Sequence, residues 1–325
     1  MAERRARPFI KWVGGKGQLL STFEHMLPES LSEMENLTYI EPFVGGGAML
    51  FYMLQKFGNI QRAVINDVNT DLITAYNVVK RKPEALIQAL TALQQMYYNL
   101  SEEGQRKEFF LSMREKFNSK STDDITSTVL LIFLNRTCFN GLYRVNAKGL
   151  FNVPFGKYKN PTICDKENIL NVSRLLQKVE ILSGDFEQTE QYVTRHTFVY
   201  FDPPYRPLDA TSCFNSYSKE AFDDAEQIRL KCYFDRLTEK HCLLMLSNSD
   251  GRGRNPNNLF FDRLYANYHI ERVYATRSVN ANPKKRGKLT ELLIRNYTNV
   301  EEQLPIDRTL VTRVIGEQQY RKIAL

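Results

Sequence analysis

The sequence predicts an α/β fold in which a mostly parallel sheet is interrupted by a helical insertion. Three observations carry this. Short apolar runs end in glycine or acidic residues and are followed by helical periodicity, first over residues 39–80 and again over 179–297. Between them, residues 83–118 and 121–136 show only the helical period, with no convincing strand. The 325 residues suffice for one large α/β domain or a domain with a sizeable insertion.

The first strand is expected at 39–44 (YIEPFV), running into Gly45-Gly46-Gly47. A helix, AMLFYMLQKF, follows, then a second strand at 62–66 (RAVIN) ending at Asp67, then a helix over 71–80. Strand–glycine–helix–strand–acid is the order that opens a nucleotide-binding sheet. Residues 138–161, rich in Gly, Asn, aromatic and basic residues, read as a structured loop or hairpin, and 163–178 as a helix. Strands return at 179–182, 197–201, 242–246, 269–276 and 290–297, with a helix over 219–238. The expected division is a discontinuous sheet domain, 1–71 with 166–298, around an insertion at 72–165. The tail 299–325 takes no element.

Composition excludes several classes. Hydrophobic content of 42% and charged content of 25% are ordinary for a globular chain. No apolar run reaches the roughly 18 residues of a membrane span, and MAERRARPFIKW lacks the apolar core of a signal peptide. Five scattered cysteines without a CxxC pair read as reduced cytosolic thiols. The histidines at 25, 196, 241 and 269 lack ligand spacing, so no metal is expected. Net charge is +7. Residues 114–160 carry eight Lys/Arg against three Asp/Glu, and 272–295 carry seven against one. Such stretches are solvated basic faces or surfaces for a polyanion.

Two motifs carry chemistry. In the first, Glu41-Pro42-Phe43-Val44 leads into the glycine turn, and Asp67 follows Gly45 by 22 residues. Glycines there let the backbone approach a ligand, and a carboxylate at that place can accept both hydroxyls of a ribose. A tight turn with a capping Asp reads equally from these residues alone. The dinucleotide pattern G-x-G-x-x-G fails, because position 50 is Leu. Upstream, FIKWVGGKG contains the one tryptophan, Trp12; Lys16 does not meet the phosphate-loop pattern and reads on its own as a solvated loop lysine.

The second motif is Asp202-Pro203-Pro204-Tyr205, after the apolar strand FVYF. Asp202 offers a carboxylate. Pro203 has no N–H and a fixed φ, and Pro204 restricts it to an extended conformation, so its carbonyl is a second rigid acceptor. Tyr205 adds an aromatic face. This set suits a planar NH2 group on an aromatic ring. The amine of adenine is a poor nucleophile because its lone pair is delocalised. Two acceptors on its hydrogens localise that pair and stabilise the positive charge that develops during attack.

These stretches, with LNRTCFNGLYRVNAKGLFNVPFGKYKNP, GDFE, LSNSD and RGKLTELLI, resemble the Dam/DpnM type (α-class) of DNA adenine-N6 methyltransferase over roughly residues 8–297. The resemblance implies a Rossmann-like sheet, S-adenosylmethionine as methyl donor and double-stranded DNA as substrate. It implies cofactor contacts from Trp12, Lys16, Glu41, Phe43, Gly45, Asp67, Asp185, Phe186 and Asp202. The insertion becomes a recognition element in which Arg144 reads guanine, Phe139, Asn140 and Leu142 contact bases near an extruded adenine, and Pro154 touches a thymine methyl. Asn146 joins that DNA-contacting set, and Arg136 and Lys157 are phosphate contacts. Residues 284–288 (KKRGK) are a phosphate clamp or a basic loop, Tyr205 is the stacking partner of the extruded base, and Phe214 and Tyr217 either close its pocket or are ordinary core aromatics. GATC is the expected site, the setting bacterial or phage cytoplasm at the nucleoid, and a cognate restriction endonuclease the functional counterpart. The competing readings are an RNA adenine methyltransferase, a methyltransferase of glutamine amides and an inactive duplex-binding relative.

Overall fold

The computed structural model describes residues 5–12, 14–206, 222–253, 255–276, 288–299 and 313–315. Among the described residues, eight strands form one sheet: β1 (Leu37–Glu41), β2 (Ile60–Asp67), β3 (Val179–Ser183), β4 (Thr197–Phe201), β5 (Leu243–Ser249), β6 (His269–Thr276), β7 (Lys288–Arg295) and β8 (Arg313–Ile315). Their order is β3-β2-β1-β4-β5-β7-β6-β8. β1 to β5 pair in parallel, whereas β7 runs antiparallel to both β5 and β6. The tail segment β8 pairs in parallel with β6, a strand that the sequence left unassigned.

The helices are α1 (Leu20–Glu24), α2 (Ala48–Lys56), α3 (Thr70–Arg81), α4 (Pro83–Tyr98), α5 (Glu103–Asn118), α6 (Asp124–Thr137), α7 (Lys166–Leu176), α8 (Asp224–Glu239) and α9 (Phe260–Leu264). Their starts follow local chemistry. Asn69, Asp123, Asp165 and Asp223 each accept backbone N–H groups as N-caps, and Pro83 opens α4. The helical stretch 83–118 is two helices because Glu102 and Gln105 form a capping box that starts α5. The first strand stops at Glu41, short of the expected 44, since Pro42 cannot donate to a ladder.

β1 and β4 are buried at every position, as expected of strands covered on both faces. One apolar cluster covers one face of the sheet and continues without a break into the insertion, from Tyr39 and Ile65 to Leu90, Phe110 and Phe133. Leu230, Phe234 and Leu237 of α8 cover the other face together with Phe201 and Leu244. Residues 72–165 thus share the core of the sheet.

The N-terminal segment is held by side-chain amides that pair with its backbone. Gln55 bonds Ala6 N–H and C=O at 2.8 and 3.0 Å, Asn168 bonds those of Arg7 at 3.0 and 2.9 Å, and Asn135 bonds those of Lys11 at 2.9 and 2.9 Å.

The stretch 272–295 is not a basic face throughout. Arg272 is buried and bonded to Asp250 and Asp262, and Arg295 is buried against Glu271 at 2.7 Å. Burial of a guanidinium requires such partners.

Because one core spans sheet and insertion, Phe133→Ala should cost about 3–5 kcal/mol. Urea unfolding followed by tryptophan fluorescence and by far-ultraviolet circular dichroism should give one coincident transition. Two separate transitions would contradict a shared core.

Candidate active site

The sequence order of strands reverses between β1 and β4, which pair as Tyr39↔Phe198 and Ile40↔Val199. Ligands of open α/β sheets bind at such a switch point, outside the carboxyl ends of the strands. Both motifs lie there, since Glu41 ends β1 and Asp202 follows β4.

The glycine turn is fixed from several sides. Gly45 and Gly47 have φ of 47° and 74°. A Cβ on Gly47 would lie 2.4 Å from the Tyr76 hydroxyl, which itself donates to the Gly45 carbonyl at 3.0 Å. The Asp67 carboxylate accepts Gly45 N–H at 3.0 Å and Asn69 N–H at 2.9 Å, one on each oxygen. The capping and ligand-accepting readings of Asp67 are therefore compatible, because each carboxylate oxygen keeps a further lone pair. Burial raises its pKa against those backbone donors. Trp12 packs on Gly45 and Gly46 and stacks on Tyr143 of the insertion, with ring centroids 4.8 Å apart.

Lys16 corrects the reading of a solvated loop lysine. It is 4% exposed, its ammonium lies 3.0 Å from Asp202 Oδ1 and 3.4 Å from Glu291 Oε2, and it donates to the Tyr205 hydroxyl. Burial opposes its charge, but Asp202, Tyr200 and Glu291 outweigh that and raise its pKa. Adjacent glycines bring the backbone in, and the short helical turn Lys16–Gln18 aims the stem inward.

The DPPY segment is pinned by β5, α8 and β7. Ser247 Oγ donates to Asp202 Oδ1 at 3.0 Å, and Gln227 donates to the Pro204 carbonyl at 3.2 Å. Asn248 bonds Gln227 at 3.1 Å, and Tyr205 donates to Glu291 at 2.8 Å. Pro203 is buried. Sequence reasoning assigned no role to Ser247, Asn248, Gln227 or Glu291. The available signal was polar Ser-Asn-Ser ending the apolar strand CLLML, and one acid inside TELLI. Burial, then Glu291, raises the pKa of Asp202, while Lys16 and Ser247 lower it; the net shift is upward. Glu41 is buried, accepts from Tyr39 at 2.8 Å and is pushed well up by burial and by Asp202.

Phe43 and Phe186 meet at 5.3 Å, and Asp185 caps the turn after β3 and pairs with Arg229 at 2.7 Å, which lowers its pKa. Val68, next to Asp67, is an exposed apolar side chain. The set fits an adenosyl amino acid: a carboxylate for ribose hydroxyls, apolar faces for a purine, and Lys16 with Asp202 for the charged end. Phe214, Tyr217 and residues 284–287 lie outside the described residues.

In the insertion, Phe139, Asn140, Arg144, Asn146, Pro154 and Lys157 are exposed and Leu142 half-buried, while Tyr143, Phe151 and Val153 enter the core. Isolated bridges Cys138↔Phe155 and Val145↔Phe151 shape the loop. Gly156 packs so tightly on the Cys138 carbonyl that a Cβ would come within 2.5 Å. Arg144 donates to Asn152 Oδ1 at 2.8 Å, Asn146 accepts the N–H groups of Lys148 and Leu150, and Lys157 pairs with Glu103 at 2.8 Å. Arg136 departs from the reading of a free phosphate contact. It is half-buried and donates to the Phe9 carbonyl at 2.8 Å, which ties α6 to the N-terminal segment.

This geometry, a doubly wound sheet with an acidic, proline-locked mouth at its switch point, is that of an enzyme built around a nucleoside cofactor. Comparison with known proteins makes the class specific: residues 12–279 match the D12 class N6 adenine-specific DNA methyltransferases, and the chain belongs to that family. It is 48% identical over 294 residues to the type II methyltransferase M.MjaIII of Methanocaldococcus jannaschii, covering 90% of this chain and 99% of that one. It is 40% identical to M1.LlaDCHI of Lactococcus lactis over 90% and 96%, and 32% identical to the DNA adenine methylase of Escherichia coli K12 over 89% and 95%. The protein is a DNA adenine-N6 methyltransferase that uses S-adenosylmethionine.

The raised pKa of Asp202 sets a pH expectation. Only the ionised carboxylate offers both oxygens as acceptors together with a negative charge, and its upward shift means that it takes up a proton at a higher pH than an ordinary aspartate. The acid limb of kcat/KM, which reports the free enzyme, should therefore lie above the ordinary aspartate range. A limb at or below that range, with circular dichroism showing intact fold, would remove Asp202 from the titrating role.

Proposed function

We propose that the enzyme methylates N6 of an adenine extruded from duplex DNA, within GATC. The observation that carries this is the placement of Asp202. Lys16 and Ser247 hold its carboxylate beside the proline-locked carbonyl of Pro203 and the Tyr205 ring, at the mouth of β4. A duplex buries the approach to N6, so the base has to leave the stack to reach such a cradle.

Trp12, Lys16, Glu41, Phe43, Gly45, Asp67, Asp185 and Phe186 would hold S-adenosylmethionine, which supplies an electrophilic methyl group on a sulfonium. The chain does the rest. Asp202 and the Pro203 carbonyl accept the two amino hydrogens, Tyr205 stacks on the purine, and positive charge developing on N6 faces the carboxylate. Transfer of the methyl group would leave the donor a neutral thioether, and the surplus N6 proton passes to water after attack. Glu291 and Lys16 fix the phenol of Tyr205, and Gln227 and Asn248 fix the turn that follows, so little reorganisation is left to the reacting state.

GATC specificity rests on the resemblance of the 138–161 loop to readers of that sequence and on the exposure of its candidate side chains. The planar fork of Arg144 suits guanine O6 and N7. In free protein it bonds Asn152, so reading guanine exchanges one partner for another. M.MjaIII and M1.LlaDCHI are named type II methyltransferases, which supports a modification role beside a restriction endonuclease of the same sequence.

The deciding assay measures label from S-adenosylmethionine on four substrates: GATC duplex, N6-methylated GATC duplex, GTTC duplex and single-stranded RNA. Label should enter the first alone. Label in another adenine duplex would refute GATC, and label in RNA alone would refute the DNA reading. Asp202→Ala should keep duplex binding yet lose transfer by at least about 10²–10³-fold. Arg144→Ala should cost about 1–3 kcal/mol in binding and relax the guanine preference. A uniform loss across all bases would make Arg144 a phosphate contact.

A further inference from the structure

The segment Lys11–Trp12 lies between the two candidate sites and touches both. On one side, Trp12 packs on Gly45 and Gly46, and four residues later Lys16 reaches Asp202. On the other, Trp12 stacks on Tyr143, and Tyr143 donates to Asp71 at the start of α3, just beyond Asp67. Lys11 lies so close to Gly141, in the DNA-facing loop, that a Cβ there would come within 2.4 Å of its side chain.

One side chain joins these pieces. Asn135, 1% exposed near the end of α6, accepts Lys11 N–H at 2.9 Å. Its amide nitrogen donates to the Lys11 carbonyl at 2.9 Å and to the Gly141 carbonyl at 2.9 Å. One buried amide therefore satisfies three backbone groups, two in the cofactor-side segment and one in the loop that carries Phe139, Asn140 and Arg144. Gln55 and Asn168 make the same two-point clamp on Ala6 and Arg7, and neither side chain bonds the loop.

We propose that Asn135 is a positioning residue that couples cofactor binding to duplex binding. The inference rests on the assignment of the two sites above. A ligand that fixes Trp12 also fixes Lys11, and through Asn135 it fixes Gly141 and the loop. The second ligand then meets a loop whose ordering cost has been met in part. Coupling of this kind is reciprocal: each ligand tightens the other by the same factor. The amide is needed as a whole, because a carboxylate keeps the acceptor for Lys11 N–H and loses both donated bonds.

The test measures the Kd of S-adenosylhomocysteine with and without the unmethylated duplex that accepts label in the transfer assay. The same is done in reverse. In the unmodified enzyme the ratio should be about fivefold or more, within the usual range for coupled sites. In Asn135→Ala it should fall to within twofold of unity in both directions. Asn135→Asp should lose most of the coupling as well, and it supplies the measurement if the alanine variant does not fold. Asn168→Ala should lower thermal stability and leave the ratio unchanged, which separates coupling from general loosening. A ratio near one in the unmodified enzyme overturns the coupling and leaves the catalytic reading standing. So does a ratio that survives loss of the Asn135 amide. Absence of label in every duplex overturns the catalytic reading itself.

Discussion

The parallel pairing of β1 with β4 is the constraint on which the rest of the site depends. It places the end of one buried strand beside the end of another, so the chain leaves the sheet twice into the same crevice. On one side it leaves as a glycine turn, on the other as two prolines. These are opposite solutions to the same need. The glycine turn needs positive φ and close approach of Trp12 and Tyr76, which a Cβ would prevent. The proline turn needs backbone that does not move, which a missing N–H and fixed φ provide. A slip of one residue in the pairing would turn the side chains of β4 to the opposite faces and carry Asp202 away from Lys16.

Charge at the mouth is the second condition. An isolated ammonium as buried as Lys16 would cost several kcal/mol of desolvation. Asp202 and Glu291 on either side reverse that balance and hold the lysine charged. The arrangement leaves two carboxylates and one cation around the Tyr205 hydroxyl. Glu291 arrives from β7, which runs antiparallel between β5 and β6. The inserted strand thus has a local consequence, since a position near its start faces the DPPY mouth. Asp250, the residue after β5, closes a separate cluster with Arg272 and Asp262.

The two motifs were legible because each is local. Glu41 to Gly47 and Asp202 to Tyr205 are consecutive residues with backbone demands that show in composition. Strand and helix types were legible for the same reason, through periodicity and caps such as Asp123 and Asp223. What escaped was contact across the sheet. Nothing near Lys16 in sequence indicates a partner 186 or 275 positions away, and only the fold brings Asp202 and Glu291 to it. Arg136 and Arg272 escaped in the opposite sense. Counted as surface charge, they are occupied inside the protein by Phe9 and by Asp250 and Asp262. The amide clamps escaped because Asn and Gln have many ordinary uses, and pairing with a backbone segment 49, 124 or 161 residues away leaves no local pattern.

The loop over 138–161 keeps an aromatic ring exposed on a fixed backbone. Phe139 is 52% exposed, while its neighbours Cys138 and Gly141 are buried. Its backbone is committed on both sides: Phe139 N–H bonds the Pro154 carbonyl at 2.8 Å, and Gly141 and Gly156 sit where no Cβ fits. The backbone that presents the ring is therefore fixed. Fully burying an exposed phenylalanine ring is worth about 1.5–3 kcal/mol, and Phe139, 52% exposed, keeps about half of that to set against the few kcal/mol needed to unstack and extrude a base. In the proposed reaction, then, burial of the ring's exposed surface would offset part of the cost of opening the duplex. In the same proposal, Arg144 and Asn140 would address the neighbouring bases from that fixed backbone.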